Sequence, residues 1–146
     1  MRVNPQSAGR AAPAARAARA VTAFAPATVA NVAVGFDLLG FALAGIGDRV
    51  TVVERLAPDV DSPPLTVEAV GSLASEIPLD PALNTATVAL ERLLALRKEA
   101  GPFHVRIEKG IPVGSGLGSS AASAVAAVVA ANALLVEPLS RLELLE

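Results

Sequence analysis

The chain of 146 residues has no cysteine, no tryptophan and no tyrosine, and only one histidine. Without thiols it can form neither a disulfide nor a thiolate metal site, which fits a reducing, cytoplasmic compartment. One histidine cannot build a His-based metal cluster, and a His-centred triad is a poor fit. His104 lies in the strand-like run Phe103-His104-Val105-Arg106-Ile107 and reads as a surface strand residue. Acidic groups are missing from residues 1–36, which hold four arginines, whereas residues 37–146 carry a net charge of −6. A nucleic-acid module shows a basic stripe with stacking aromatics. The folded part has neither, so no nucleic-acid partner is expected.

Charge is also absent from Ile111 through Val136. A membrane helix needs about 20 mainly apolar residues. The segment from Ala121 to Val136 is shorter and carries Ser123 and Asn132, so no membrane span is expected. Its apolar surface runs all round, which predicts a helix buried inside a domain.

What is present is a chain that is 53% hydrophobic, mostly Ala, Val and Leu, enough to fill the core of one domain. Residues 1–20 hold eight Ala and four Arg without an apolar core, which excludes a secretory signal. They read as a disordered tail or as the product of a start codon placed too early. The folded domain is expected over residues 21–146. Leu38–Leu43 can pair as a strand, Gly45-Ile46-Gly47-Asp48 reads as a turn, and Arg49–Leu56 is β-branched and strand-like. Leu65–Val70 alternates with period two. A helix is expected from Asn84-Thr85, with Val88, Leu90, Leu93, Leu94 and Leu96 at helical spacing and Gly101-Pro102 ending it. Phe103–Glu108 reads as a strand with Phe103, Val105 and Ile107 on one face. Glu137-Pro138 should stop the helix that follows, and Leu139–Glu146 reads as the start of another.

Two stretches carry chemistry. The first runs Pro112-Val113-Gly114-Ser115-Gly116-Leu117-Gly118-Ser119-Ser120-Ala121-Ala122. Glycine permits backbone conformations that turn N–H groups inward. The first N–H groups of a helix lack internal partners and sit at the positive end of its dipole. Together these features make an anion site. The spacing is neither the Walker A pattern, which needs Lys before Ser119, nor the dinucleotide fingerprint, which needs Gly at position 119. On these residues alone a phosphate loop and a Gly/Ser turn before an ordinary buried helix both stand. The second stretch runs from Ala25 to Asp37, where Asn31 and Asp37 are the strongly polar side chains among small and apolar ones. A buried Asp needs a partner, and the amino group of a ligand would serve. A turn-capping Asp beside a loop Asn is the simpler reading of this stretch by itself.

Pro26–Leu39 followed by Pro112–Ala122 resembles the GHMP small-molecule kinases, and within them the homoserine-phosphorylating branch. PATVANVAVGFDLLG is similar to the substrate motif of that branch, and PVGSGLGSSAA is similar to its ATP loop. The segments Gly47–Val52 and Asp80–Asn84 fall where the family has related ones, so the resemblance spans residues 21–146 in order. It implies an α+β fold: a mixed sheet with helices on one side, like the ribosomal protein S5 domain 2-like half of these kinases. It implies transfer of the ATP γ-phosphoryl group to the hydroxyl of L-homoserine, on the way to threonine. ATP would lie on Pro112–Ala122 and near Asn84. Mg²⁺ would meet Ser120, and the substrate ammonium would meet Asn31 and Asp37. No general base is identified. The resemblance further places the family's acidic Mg²⁺ ligand and substrate-carboxylate groups beyond Glu146, with Glu143 and Glu146 too early for that role. A truncated chain with little turnover of its own is therefore expected. Its Leu134, Leu135, Leu142 and Leu145 would be left for a second domain to cover, and a homodimer would belong to the full-length protein. A mevalonate-type kinase and a non-catalytic interaction module are the alternatives. The acidic folded part weighs against an RNA-binding module.

Overall fold

Alternation along Phe103-His104-Val105-Arg106-Ile107-Glu108 puts Phe103, Val105 and Ile107 in the core and leaves Arg106 and Glu108 exposed. The computed structural model describes residues 18–36, 38–56, 61–99 and 101–145. Most of the N-terminal tail, Asp37, part of the loop after Leu56, and Glu146 lie outside the described residues.

Four strands form one sheet: β1 (Ala20–Val29), β2 (Phe41–Glu54), β3 (Leu65–Val70) and β4 (Phe103–Glu108). Their order is β1-β2-β4-β3, with β1–β2 and β2–β4 antiparallel and β3–β4 parallel. Parallel pairing needs a crossover, and α1 (Thr85–Arg97) supplies it between β3 and β4. α2 (Ser119–Asn132) follows β4 and packs on β1, β2 and α1. The core lies between this helical layer and the sheet face made by Ala25, Ala27, Val50, Val52, Leu65, Val105 and Ile107. The expected α+β fold, a mixed sheet with a helical layer, is therefore the observed one. His104 is half-buried on a strand, with Nδ1 2.9 Å from the Thr66 hydroxyl.

The turn expected at Gly45–Asp48 is not a reversal. β2 runs through it, and the chain bulges instead. Gly47 pairs with Pro26, and the next pair along is Ala42 with Thr28. Extra β2 residues are thus accommodated at Gly45, whose φ is +80°, without breaking the strand. A Cβ on Gly47 would collide with the Ala25 carbonyl, and one on Gly110 would collide with the Gly47 carbonyl. Glycine at both positions therefore lets β1, β2 and the end of β4 converge.

α1 begins as expected. Asn84 is its N-cap: its side-chain oxygen accepts from the Ala86 amide at 3.0 Å, and its amide nitrogen donates to the Pro78 carbonyl at 2.8 Å. Asn84→Ala should remove about 1 kcal/mol of stability, as for other lost caps, measurable in urea unfolding. The helix ends at Arg97, before Gly101-Pro102, with Lys98 in the left-handed region, its own amide returning to the Ala95 carbonyl and the Glu99 amide to that of Leu94. Val88 and Leu96, expected on the apolar face, are exposed; Ala86 and Thr87 are buried instead.

α2 corrects the expectation of all-round burial. It buries Ala122, Ala126, Ala127, Ala130 and Ala131, whereas Val125 and Val129 are exposed. Alanine allows the close helix–sheet approach, and the larger Val side chains sit on the open face. The helix stops at Asn132, before Glu137-Pro138. The Asn132 side chain accepts from the Leu139 amide at 2.8 Å and donates to the Leu139 carbonyl at 2.9 Å, so the chain folds back. That return buries Leu134 and Leu135, contrary to expectation, while Leu142 and Leu145 are exposed. The expected helix after Leu139 is only a set of turns up to Leu145. Ser140 and Glu143 cap one another across it. The Ser140 amide and hydroxyl hold the Glu143 carboxyl below the usual carboxylate range. No helix among the described residues is long and apolar enough to cross a membrane.

Candidate functional site

Between β4 and α2 the chain runs through Gly114, Gly116 and Gly118, with φ of +75°, +74° and +71°. L-residues disfavour this region and glycine does not. A Cβ at Gly114 or Gly116 would meet nothing within 4 Å, so both face open space. A Cβ at Gly118 would meet the Thr28 hydroxyl, so glycine there permits close approach to β1. The Thr28 amide donates to the Leu117 carbonyl at 3.0 Å, tying the loop to the end of β1. The two chemistry-bearing stretches of the sequence therefore meet.

Gly118 is the N-cap residue of α2, and no side chain caps the helix. Its first N–H groups point out of the helix start unengaged, where the dipole is positive. The two serines divide their work. Ser119 is buried and donates its hydroxyl to the Ile111 carbonyl at 3.0 Å. Ser120 is exposed, with its hydroxyl available to a ligand. Ser115 donates to the Pro112 carbonyl at 2.8 Å and braces the loop from within. Glu76 accepts from the Val113 amide at 3.0 Å and anchors its entry.

A cleft of about 170 Å³ opens beside the two helix starts, lined in part by Ile77, Asn84, Thr85, Lys109 and Ser120. A broader hollow of about 1010 Å³ runs along Val125, Val129 and Leu145. The smaller cleft is the better candidate, because polar groups converge there and the larger one is mainly apolar. Asn84 lines the cleft with both ends of its amide engaged in the cap. Asn31 is exposed between β1 and β2, while Asp37 lies outside the described residues. Among the described residues, no group of three or more His, Asp and Glu could hold a metal ion.

The sequence reading missed the charged pair under the loop. Asp48 and Lys109 are 0% and 1% exposed at their side chains and form an ion pair. Asp48 also accepts from the Ser123 hydroxyl at 2.6 Å and from the amides of Gly110 at 3.0 Å and Ile111 at 3.2 Å. Lys109 donates to the Ser119 carbonyl and the Ser123 hydroxyl, both at 3.0 Å. Period two would have found the pair. Lys109 continues the inward series Phe103, Val105, Ile107, and Asp48 continues Val52, Val50.

Residues 84–146 match the family described as GHMP kinases N terminal domain. The chain is 51% identical over 132 residues to a homoserine kinase of Xanthomonas campestris, covering 90% of this chain and 39% of that protein. It therefore spans about two-fifths of the length of the curated relatives it matches. The crystal structure of a homoserine kinase from Cytophaga hutchinsonii superposes with a TM-score of 0.76 at 37% identity, over 86% of this chain and 38% of that one. A mevalonate kinase of Methanococcus jannaschii, 16% identical with a TM-score of 0.61 over 90% of this chain and 44% of that one, shares the fold. The family match over residues 84–146 and the fold shared with the homoserine kinase structure make the chain similar to the N-terminal domain of the GHMP kinases.

Proposed function

We propose that this chain binds the triphosphate of ATP and serves in phosphorylating the hydroxyl of L-homoserine, a step of threonine biosynthesis. The observation that carries the reading is the uncapped start of α2 behind three left-handed glycines, tied by Leu117 to the substrate-motif strand. Phosphoryl transfer asks mainly for positioning and charge neutralisation. The amides of Gly114, Gly116 and Gly118–Ala121, which take no partner inside the loop, meet that need as fixed dipoles. Pro112 and Val113 set the loop's entry, and Asn84 shapes the cleft wall where the adenine would lie.

Mg²⁺ fits at Ser120, whose hydroxyl stands free at the helix start while that of Ser119 is engaged. Mg²⁺ keeps much of its shell as water and phosphate oxygen, so few protein ligands suffice. When bound, it neutralises charge on the terminal phosphates. Asn31 and Asp37 are proposed to hold the substrate ammonium and so to orient the hydroxyl toward the γ-phosphorus.

A chimera tests this: residues 18–146 replace the matching segment of the Xanthomonas campestris enzyme. It should phosphorylate L-homoserine in preference to mevalonate. Asp37→Asn should lower kcat/KM for homoserine about 10²-fold, as for truncating a charge pair of roughly 2–5 kcal/mol, with ATP affinity little changed. A preference for mevalonate would contradict the substrate assignment. An equal loss of ATP affinity would make Asp37 structural.

A further inference from the structure

Asp48 and Lys109 remain unexplained once the loop is assigned to phosphate. A buried ion pair is a poor route to stability, since an apolar replacement of the pair is often as stable. We propose that Asp48, Lys109 and Ser123 form a positioning unit that aims the phosphate-binding amides, an inference that rests on the phosphate reading of the loop.

The geometry gives each group a defined task. An ammonium has three N–H donors. Those of Lys109 meet three acceptors inside the protein: the Asp48 carboxylate, the Ser119 carbonyl and the Ser123 hydroxyl. The lysine is therefore a strut between the sheet and the first turn of α2. On the carboxylate, Oδ1 receives the amides of Gly110 and Ile111, and Oδ2 receives Lys109 and Ser123. One side chain of β2 thus fixes both the launch of the loop and the start of the helix. At the far end Thr28 holds Leu117 and fills the space beside Gly118. The loop is clamped at both ends, and Gly114 and Gly116 are left open between the clamps. Preorganised donors need no reorientation when charge arrives. The close approach of Gly47 and Gly110 brings the Asp48 carboxylate within reach of the loop amides.

The test uses the full 146-residue chain, isotope-labelled for amide NMR, with ATP as the probe. In Asp48→Asn/Lys109→Met the carboxamide oxygen still accepts from Gly110 and Ile111, methionine replaces the lysine stem, and no charge is stranded. This variant should keep a cooperative melt. Its amide signals at Gly114, Gly116, Gly118 and Ser120 should shift without ligand, and its ATP Kd should rise about tenfold or more, equivalent to at least ~1.4 kcal/mol. Ser123→Ala should move the same signals less, and Ser123→Thr should restore them. A folded double variant with unshifted loop amides and unchanged Kd would overturn the proposal and leave the pair a packing element. If the double variant does not fold, Ser123→Ala decides: unmoved loop signals there overturn it. If the parent chain shows no ATP response, the phosphate reading fails. The ligand-free loop signals then judge the positioning unit separately.

Discussion

Lys109→Met should lower the thermal midpoint of the chain by roughly 10 °C. The substitution strands a carboxylate that has no solvent exposure. Removing one partner of a buried pair costs about 3–5 kcal/mol, because the remaining charge stays desolvated. For a domain of this size each kcal/mol moves the midpoint by roughly 2–4 °C. Asp48 would keep Ser123 and two amides, which soften the loss but carry no opposite charge. Adding Asp48→Asn should return most of the stability by removing the stranded charge. A midpoint within a degree or two of the parent for the single variant would mean that the pair is not enclosed as described. Calorimetry on the two variants and the parent is the check.

Gly116→Val should weaken ATP binding by at least about tenfold, or 1.4 kcal/mol, while the sheet and α1 stay intact. At φ +74° a β-branched residue is strained, and about 1–2 kcal/mol of local cost is expected. The added side chain would project into open space, so no core contact is lost. That space is where the phosphate is proposed to sit. Fluorescence titration with a labelled nucleotide reads the affinity, and far-UV circular dichroism reads the fold. A folded variant with parental affinity would remove Gly116 from the phosphate site.

Much of this was legible in the chain because β4 obeys a simple period and α1 opens on a clear cap. Phe103, Val105 and Ile107 alternate without interruption, and Asn84 precedes the helix as a cap should. Where local signals competed with tertiary contacts, the local reading failed. Glycines at 45 and 47 look like a turn, but cross-strand pairing carries β2 through them as a bulge. The run from Ala121 to Val136 looks uniformly buried, but the Asn132–Leu139 clamp ends the helix, and Val125 and Val129 face outward. Nothing near Leu134 or Leu135 announces that clamp, because it depends on a side chain closing on a residue seven positions away. In the site, the glycine loop was visible from composition. The supporting pair was not, because Asp48 and Lys109 lie sixty-one positions apart and each resembles an ordinary surface charge at a strand end. Only the inward register of both strands identifies them.

Phosphate is proposed to sit at the start of α2. The most direct measurement is an amide NMR titration of the 146-residue chain with MgATP. The largest shifts should fall on Gly114, Gly116, Gly118, Ser119, Ser120 and Ala121, and in Gly116→Val the remaining ones should need at least about tenfold more MgATP. Saturable binding with shifts confined to the groove along Val125, Val129 and Leu145, or elsewhere on the sheet, would remove the phosphate from the start of α2.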